Sequence, residues 1–172
     1  MILYLYYIMK LLAYLSITFL VAFVLQYWII SMVTTTNMKY VQHNRGKMYI
    51  SLFAASIMGI LEVIIFDSYH NTVSLYYYIG LGLAIYIFAH AYKVQMGVTE
   101  TDYLRQMIEA SSRDLLLSQN LMNHTDNINV RTVATNILNK RKRDIDMMTQ
   151  MMAEMGKGQI TNVDTFAYQK LL

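Results

Sequence analysis

Apolar positions along this chain fall first into long unbroken runs and then into interrupted stripes. Residues 1–33 are nearly all apolar, broken by Lys10 and Gln26. The stretch 11–33 alone exceeds the roughly 20 residues with which a helix crosses a bilayer. A cleaved signal peptide would carry an apolar region of about 7 to 15 residues ending at a small-residue site, whereas this run continues past Trp28. Two further runs of spanning length, 48–66 and 73–92, are separated by "DSYHNT" and predict a tight transmembrane hairpin.

From residue 94 the pattern changes to that of an amphipathic segment. Thr99 with Asp102 three residues later resembles a capping box, with Asp in place of the usual Glu or Gln. Leu104, Ile108, Ser111, Leu115 and Met122 then share one helical face. After the polar turn "NHTDNIN", the i, i+3, i+4 rhythm resumes through Val130, Val133, Ala134, Ile137, Leu138 and Arg141. It continues through Ile145, Met148, Met152 and Met155, and Gly156 and Gly158 end it. The domains expected are a membrane part, 1–93, an antiparallel two-helix hairpin, 94–156, and a tail, 157–172, that is loose or docks on a partner. A pair of amphipathic helices is too small to make a self-sufficient core. A second copy, giving a four-helix bundle of two hairpins, is the simplest cover by symmetry, and packing on another subunit is the alternative. The fold class expected is therefore all-α, three transmembrane helices followed by a hairpin that pairs into a bundle.

Composition agrees with a membrane protein: 56% of residues are hydrophobic and 15% charged. Absence of cysteine excludes disulfides, thiolate metal sites and a cysteine nucleophile. The lack of proline and the 15 tyrosines and 14 methionines are attributed first to an AT-rich genome. Charge sets the expected orientation. The loop "TTTNMKYVQHNRGK" carries Lys39, Arg45 and Lys47, and Lys93 follows the third run, while 67–72 has no basic residue. The positive-inside rule puts that first loop and the C-terminal region on the cytoplasmic side.

Three stretches of the C-terminal part, in order, are "VTETDYLRQMI" (98–108), "INVRTVATNIL" (128–138) and "KRDIDMMTQMM" (142–152). They resemble the segments "GDxxYMxxMI", "DPRVRxLAxxII" and "QxxEIxxMxxLI" of the domain-of-unknown-function family 305, a ferritin-like helical family with methionine- and histidine-rich copper-binding members. "MYISLFAASIMGILEVIIF" (48–66) is similar to the "YMALMMxAPM" span of its membrane-anchored members. The resemblance implies a metal-binding ancestry. Where the family has "MIxHH", however, this chain has Met107, Ile108, Glu109, Ala110 and Ser111, so the paired histidines are missing. What carries over is Met107, with Met147 or Met148 at the family's C-terminal methionine position. Thioether sulfur suits Cu(I).

Met147, Met148, Met151, Met152 and Met155 share a helical face and, with Met107, are the candidate metal ligands; methionine is equally an ordinary filler of helical cores. Glu62 is the acidic residue placed inside a span, which suggests an ion path or a pairing within the bundle, and His90 is its expected polar partner. The histidines at 43, 70, 90 and 124 form no pair at helical spacing. The run Lys140–Arg143 is expected to be a solvated face paired in part with Asp144 and Asp146. Residues 94–172 hold nine basic and nine acidic residues, so no nucleic-acid surface is expected. Asn123-His124-Thr125 matches a glycosylation acceptor but falls on the side expected to be cytoplasmic. No phosphate loop, nucleophile elbow or HExxH is present, so no enzyme and no cofactor beyond Cu(I) is expected. The function expected is an integral membrane structural or assembly protein in the lipid bilayer, associating through its hairpin. Cu(I) handling through methionines, and a small accessory subunit of a larger membrane complex or virion membrane, are the alternatives.

Overall fold

A computed structural model describes the backbone of residues 2–156 and the side chains of 7–156. The tail expected at 157–172 lies outside the described residues. Those residues are helices joined by short turns, with no strand among them. α1 (Ile2–Val24) continues through a π-helical turn, Leu25–Ile29, and five more α-helical residues, Ile30–Thr34. α2 is Arg45–His70, α3 is Leu75–Lys93, α4 is Glu100–His124 and α5 is Ile128–Gly156. Three stretches are long and apolar enough to cross a membrane: Tyr7–Thr34, Arg45–His70 and Leu75–Lys93, of 28, 26 and 19 residues. At 1.5 Å per residue the shortest reaches about 28 Å, close to the hydrocarbon thickness of a bilayer.

The contacts gather the chain into two compact units that do not follow its linear order. Among the described residues the first contains 2–34 and His43–Asp102, and the second contains Thr35–Gln42 with 103–156. The sequence pattern drew one line at residue 93. The structure moves that line to the first turn of α4 and transfers eight residues of the first loop to the second unit.

In the first unit α2 packs against both α1 and α3. Leu11, Val63 and Phe66 form a buried cluster, and Leu15, Tyr77 and Leu81 pack around it. Gly59 marks the closest approach: a Cβ there would lie 3.1 Å from Leu15 Cδ1 and 3.2 Å from Leu81 Cδ2. Ser51 and Ser56 are fully buried, and their hydroxyls donate to the carbonyls of Lys47 and Leu52, both at 2.8 Å. Such back-bonding satisfies a polar group where water is absent.

Polar residues fix the ends of these helices. Asn44 caps α2, its Oδ1 accepting from the Lys47 amide at 2.7 Å. At the far end Asn71 takes the left-handed conformation (φ 53°) that ends many helices. Asp67, expected to open a loop, is instead helical and buried. Its Oδ2 accepts the Ser74 amide at 2.8 Å, and its Oδ1 accepts the hydroxyls of Ser74 at 2.8 Å and Thr72 at 3.0 Å. These bonds shorten the loop to residues 71–74, because one carboxylate occupies the donors that would otherwise need solvent.

The π turn has a local consequence. Its i to i+5 bonding turns the chain by less per residue than an α-helix. Tyr27 and Trp28 therefore meet the same neighbour, the His43 ring, each at 5.3 Å between centroids. Lys47 is buried, with Nζ 5.2 Å from the Tyr27 ring centroid. The exit of α3 is tied back to α2: Tyr49 Oη donates to the Met96 carbonyl at 2.9 Å and Arg45 donates to that of Gly97. Gly97 has φ +65°, a backbone conformation that calls for glycine. The capping box forms: the Asp102 amide donates to Thr99 Oγ1 at 3.2 Å, and the Thr99 hydroxyl donates to Asp102 Oδ2 at 3.1 Å. Arg45 Nε lies 3.8 Å from the same carboxylate.

Candidate functional site

The second unit is built on the amphipathic faces of α4 and α5. Leu104, Ile108, Ser111 and Leu115 are buried along α4, as their spacing predicts. On α5 the buried residues are Ala134, Ile145, Met148 and Met151. Leu104 and Ile108 cluster with Ile145, Met148 and Met151; Arg141 Nη2 meets Asp114 Oδ2 at 2.9 Å; Thr135 Oγ1 donates to Met122 Sδ at 3.7 Å. Asn127 starts α5, its Oδ1 accepting the amides of Asn129 at 3.0 Å and Val130 at 3.3 Å.

The methionines are brought together. Met148 and Met151 are in the buried core, and Met107, Met147, Met152 and Met155 are half-buried against it. The sequence rhythm put Met152 in the stripe, whereas Met151 is the more buried of the two. Among the described residues no group of three or more His, Asp or Glu side chains could hold a metal ion, so the donors gathered here are thioethers. Such a set offers soft, uncharged ligation and nothing that would hold a hard cation.

The segment between the first two spans completes this unit, and its docking was invisible in the hydropathy pattern. Asn37 caps a single 3₁₀ turn, Met38–Tyr40, and Tyr40 packs against the methionine cluster. The Thr36 amide donates to Ser112 Oγ at 3.1 Å, and its hydroxyl donates to the Ser112 carbonyl at 2.9 Å. The Gln42 amide donates to Glu109 Oε2 at 3.2 Å. Ser112 is fully buried and Ser111 is 2% exposed, because a serine is small enough to let the segment's main chain approach α4. Ala110 is exposed and Ser111 is enclosed. The signal that could have pointed here is a run of small polar residues on a face otherwise apolar.

Further along the two helices the apolar face is not covered. A groove of about 350 Å³ is lined by Leu117, Leu121, Val130, Val133, Ala134 and Ile137, among others. Leu117 is 62% exposed and Val133 58%. The sequence placed Val130, Val133 and Ile137 in the stripe, and the structure leaves all three exposed. Arg141, the charged member of that stripe, bridges Asp114 and, at 3.4 Å, Asp144.

The intramembrane pair expected from the sequence is not brought together as a pair. Glu62 Oε2 accepts from Thr18 Oγ1 at 3.2 Å, which ties α2 to α1. His90 stacks on Tyr86 at 6.2 Å between centroids. Thr18 is one α-helical neighbour away in space yet 44 positions away in sequence, so spacing alone did not select it. Compared with protein-family models, curated proteins and solved structures, the chain matches none.

Proposed function

We propose that this chain is an integral membrane assembly protein: its spans anchor an antiparallel helical hairpin, which pairs with that of a second copy to form a four-helix bundle. The observation that carries the reading is the uncovered apolar groove of α4 and α5, with Leu117, Leu121 and Val133 exposed. Each aliphatic side chain taken fully out of water contributes about 1.5–3 kcal/mol, so a symmetric pairing that buries this face twice has a clear driving force. Lys39, Arg45, Lys47 and Lys93 support placing the hairpin on the cytoplasmic side. The order of the motif resemblances supports descent from a metal-binding ancestor in which Ala110 and Ser111 took the places of histidines. The test is mass determination of the detergent-solubilised protein beside a Leu121→Glu, Val133→Glu variant. The reading expects a discrete dimer that becomes a monomer of unchanged helicity. A wild-type monomer, or a variant that stays dimeric, refutes it.

A second reading, Cu(I) handling, is favoured by the gathering of Met107, Met147, Met148, Met151 and Met152 in one cluster. It expects tight Cu(I) binding against a competing chelator that disappears in the Met107→Leu, Met148→Leu, Met152→Leu variant. Leucine conserves the volume and leaves the fold intact.

A further inference from the structure

We propose that the half-buried methionines of the second unit are an oxidation site that controls whether segment 35–42 stays docked. Met107, Met147, Met152 and Met155 lie at the edge of the cluster, partly open, while Met148 and Met151 are enclosed. Tyr40 packs against the same buried cluster as these four methionines, a cluster made of Leu104, Ile108 and Ile145 with Met148 and Met151. The oxidant is a peroxide. The thioether sulfur attacks one peroxide oxygen, the O–O bond breaks as an S–O bond forms, and the departing hydroxide is released as water with the proton lost from the hydroxyl oxygen now bonded to sulfur. Sulfur gives up two electrons, the peroxide is reduced, and the product is methionine sulfoxide.

The sulfoxide is polar and chiral where the thioether was apolar and flexible, so it favours water over the cluster. Methionines drawn toward water uncover the edge of the buried cluster that they share with Tyr40, and the contacts of Tyr40 with that cluster weaken. Other ties of the segment include the hydrogen bonds of Thr36 and Gln42 to Ser112 and Glu109, which water can replace. Loss of Tyr40's contacts therefore shifts the segment toward an undocked state. Reductases that act on each sulfoxide epimer reverse the step. The mechanism requires neither a metal nor a second copy, so it stands or falls separately from the readings above.

The experiment uses the full chain in detergent, treated with graded hydrogen peroxide, with oxidised residues mapped by peptide mass spectrometry and docking read as trypsin cleavage at Lys39. Met38 is 67% exposed and adjoins the cleavage site, so Met38→Leu is the background for every sample. The expected result is sulfoxide at the half-buried positions, with a rise of about tenfold in cleavage rate at Lys39, since proteolysis follows the population of the open form. Treatment with the two methionine sulfoxide reductases restores protection. A Met107→Leu, Met147→Leu, Met152→Leu, Met155→Leu variant keeps its helicity and shows no peroxide response; should it misfold, the four single variants are each expected to reduce the response. Sulfoxide confined to exposed positions such as Met9 and Met96 overturns the proposal. So does oxidation of the cluster without faster cleavage at Lys39, or a response that survives in the leucine variants.

Discussion

Replacing Ser112 isolates the docking of the first loop onto α4. Ser112 Oγ accepts the Thr36 amide at 3.1 Å from a fully buried position. Ser112→Ala removes that acceptor and leaves the hydroxyl bond from Thr36 to the residue-112 carbonyl in place. The lost bond is worth about 1 kcal/mol net, or about a fivefold rise in the fraction of time the segment is undocked. Ser112→Leu adds side-chain volume where the segment's main chain approaches, which costs a further 1–3 kcal/mol, roughly a 30-fold rise or more in total. The assay is hydrogen exchange by mass spectrometry on a peptide covering residues 35–42, in detergent. Local opening then appears as faster exchange of the Thr36 and Gln42 amides. A peptide from α2 serves as the control and is expected to be unchanged. Equal exchange in the alanine and leucine variants would refute the close-approach argument, and unchanged exchange in both would refute docking itself.

Gly59→Val places methyl groups against Leu15 and Leu81 and is expected to destabilise the packing of the three spans by about 1–3 kcal/mol, measured by SDS unfolding of the detergent-solubilised protein. Gly59→Ala adds a single Cβ at 3.1 Å from a flexible leucine tip and is expected to cost less than the valine variant; the reverse order would count against the contact. Asp67→Ala strips the acceptor from Ser74 and Thr72 and is expected to cost about 3 kcal/mol in the same assay, because charged hydrogen bonds exceed neutral ones and the donors are left without partners. Asp67→Asn keeps one acceptor oxygen and is expected to fall between alanine and wild type.

The spans were legible because a bilayer demands an apolar run of fixed length, and nothing in the packing of α1, α2 and α3 alters that demand. The capping box at Thr99 and Asp102 was legible for a similar reason, being a local bond between residues three apart. Asp67 was misread as loop because a polar cluster usually breaks a helix, whereas here its carboxylate collects three donors and prolongs one. The partner of Glu62 and the role of segment 35–42 depend on contacts between residues 44 and 67–76 positions apart. Such pairings leave no period in the sequence. Ala110 and Ser111 registered as a missing histidine pair when set beside a family pattern; in the structure Ser111 is enclosed, and the next residue, Ser112, receives the first loop.

The reassignment of residues 35–42 to the later unit bears on how the protein is made. Thr36 waits for Ser112, which is synthesised 76 residues after it. At about 5–20 residues per second, that is about 4–15 s during which Tyr40 and its neighbours have been translated but their docking surface has not. The second half of that surface, Met148 and Met151, follows later still. The three long apolar helices are complete well before that, while the loop between the first two remains without its native partners until nearly the whole helical region exists. A nascent chain stopped before α5 would therefore present that loop to whatever folding factors or proteases attend its synthesis.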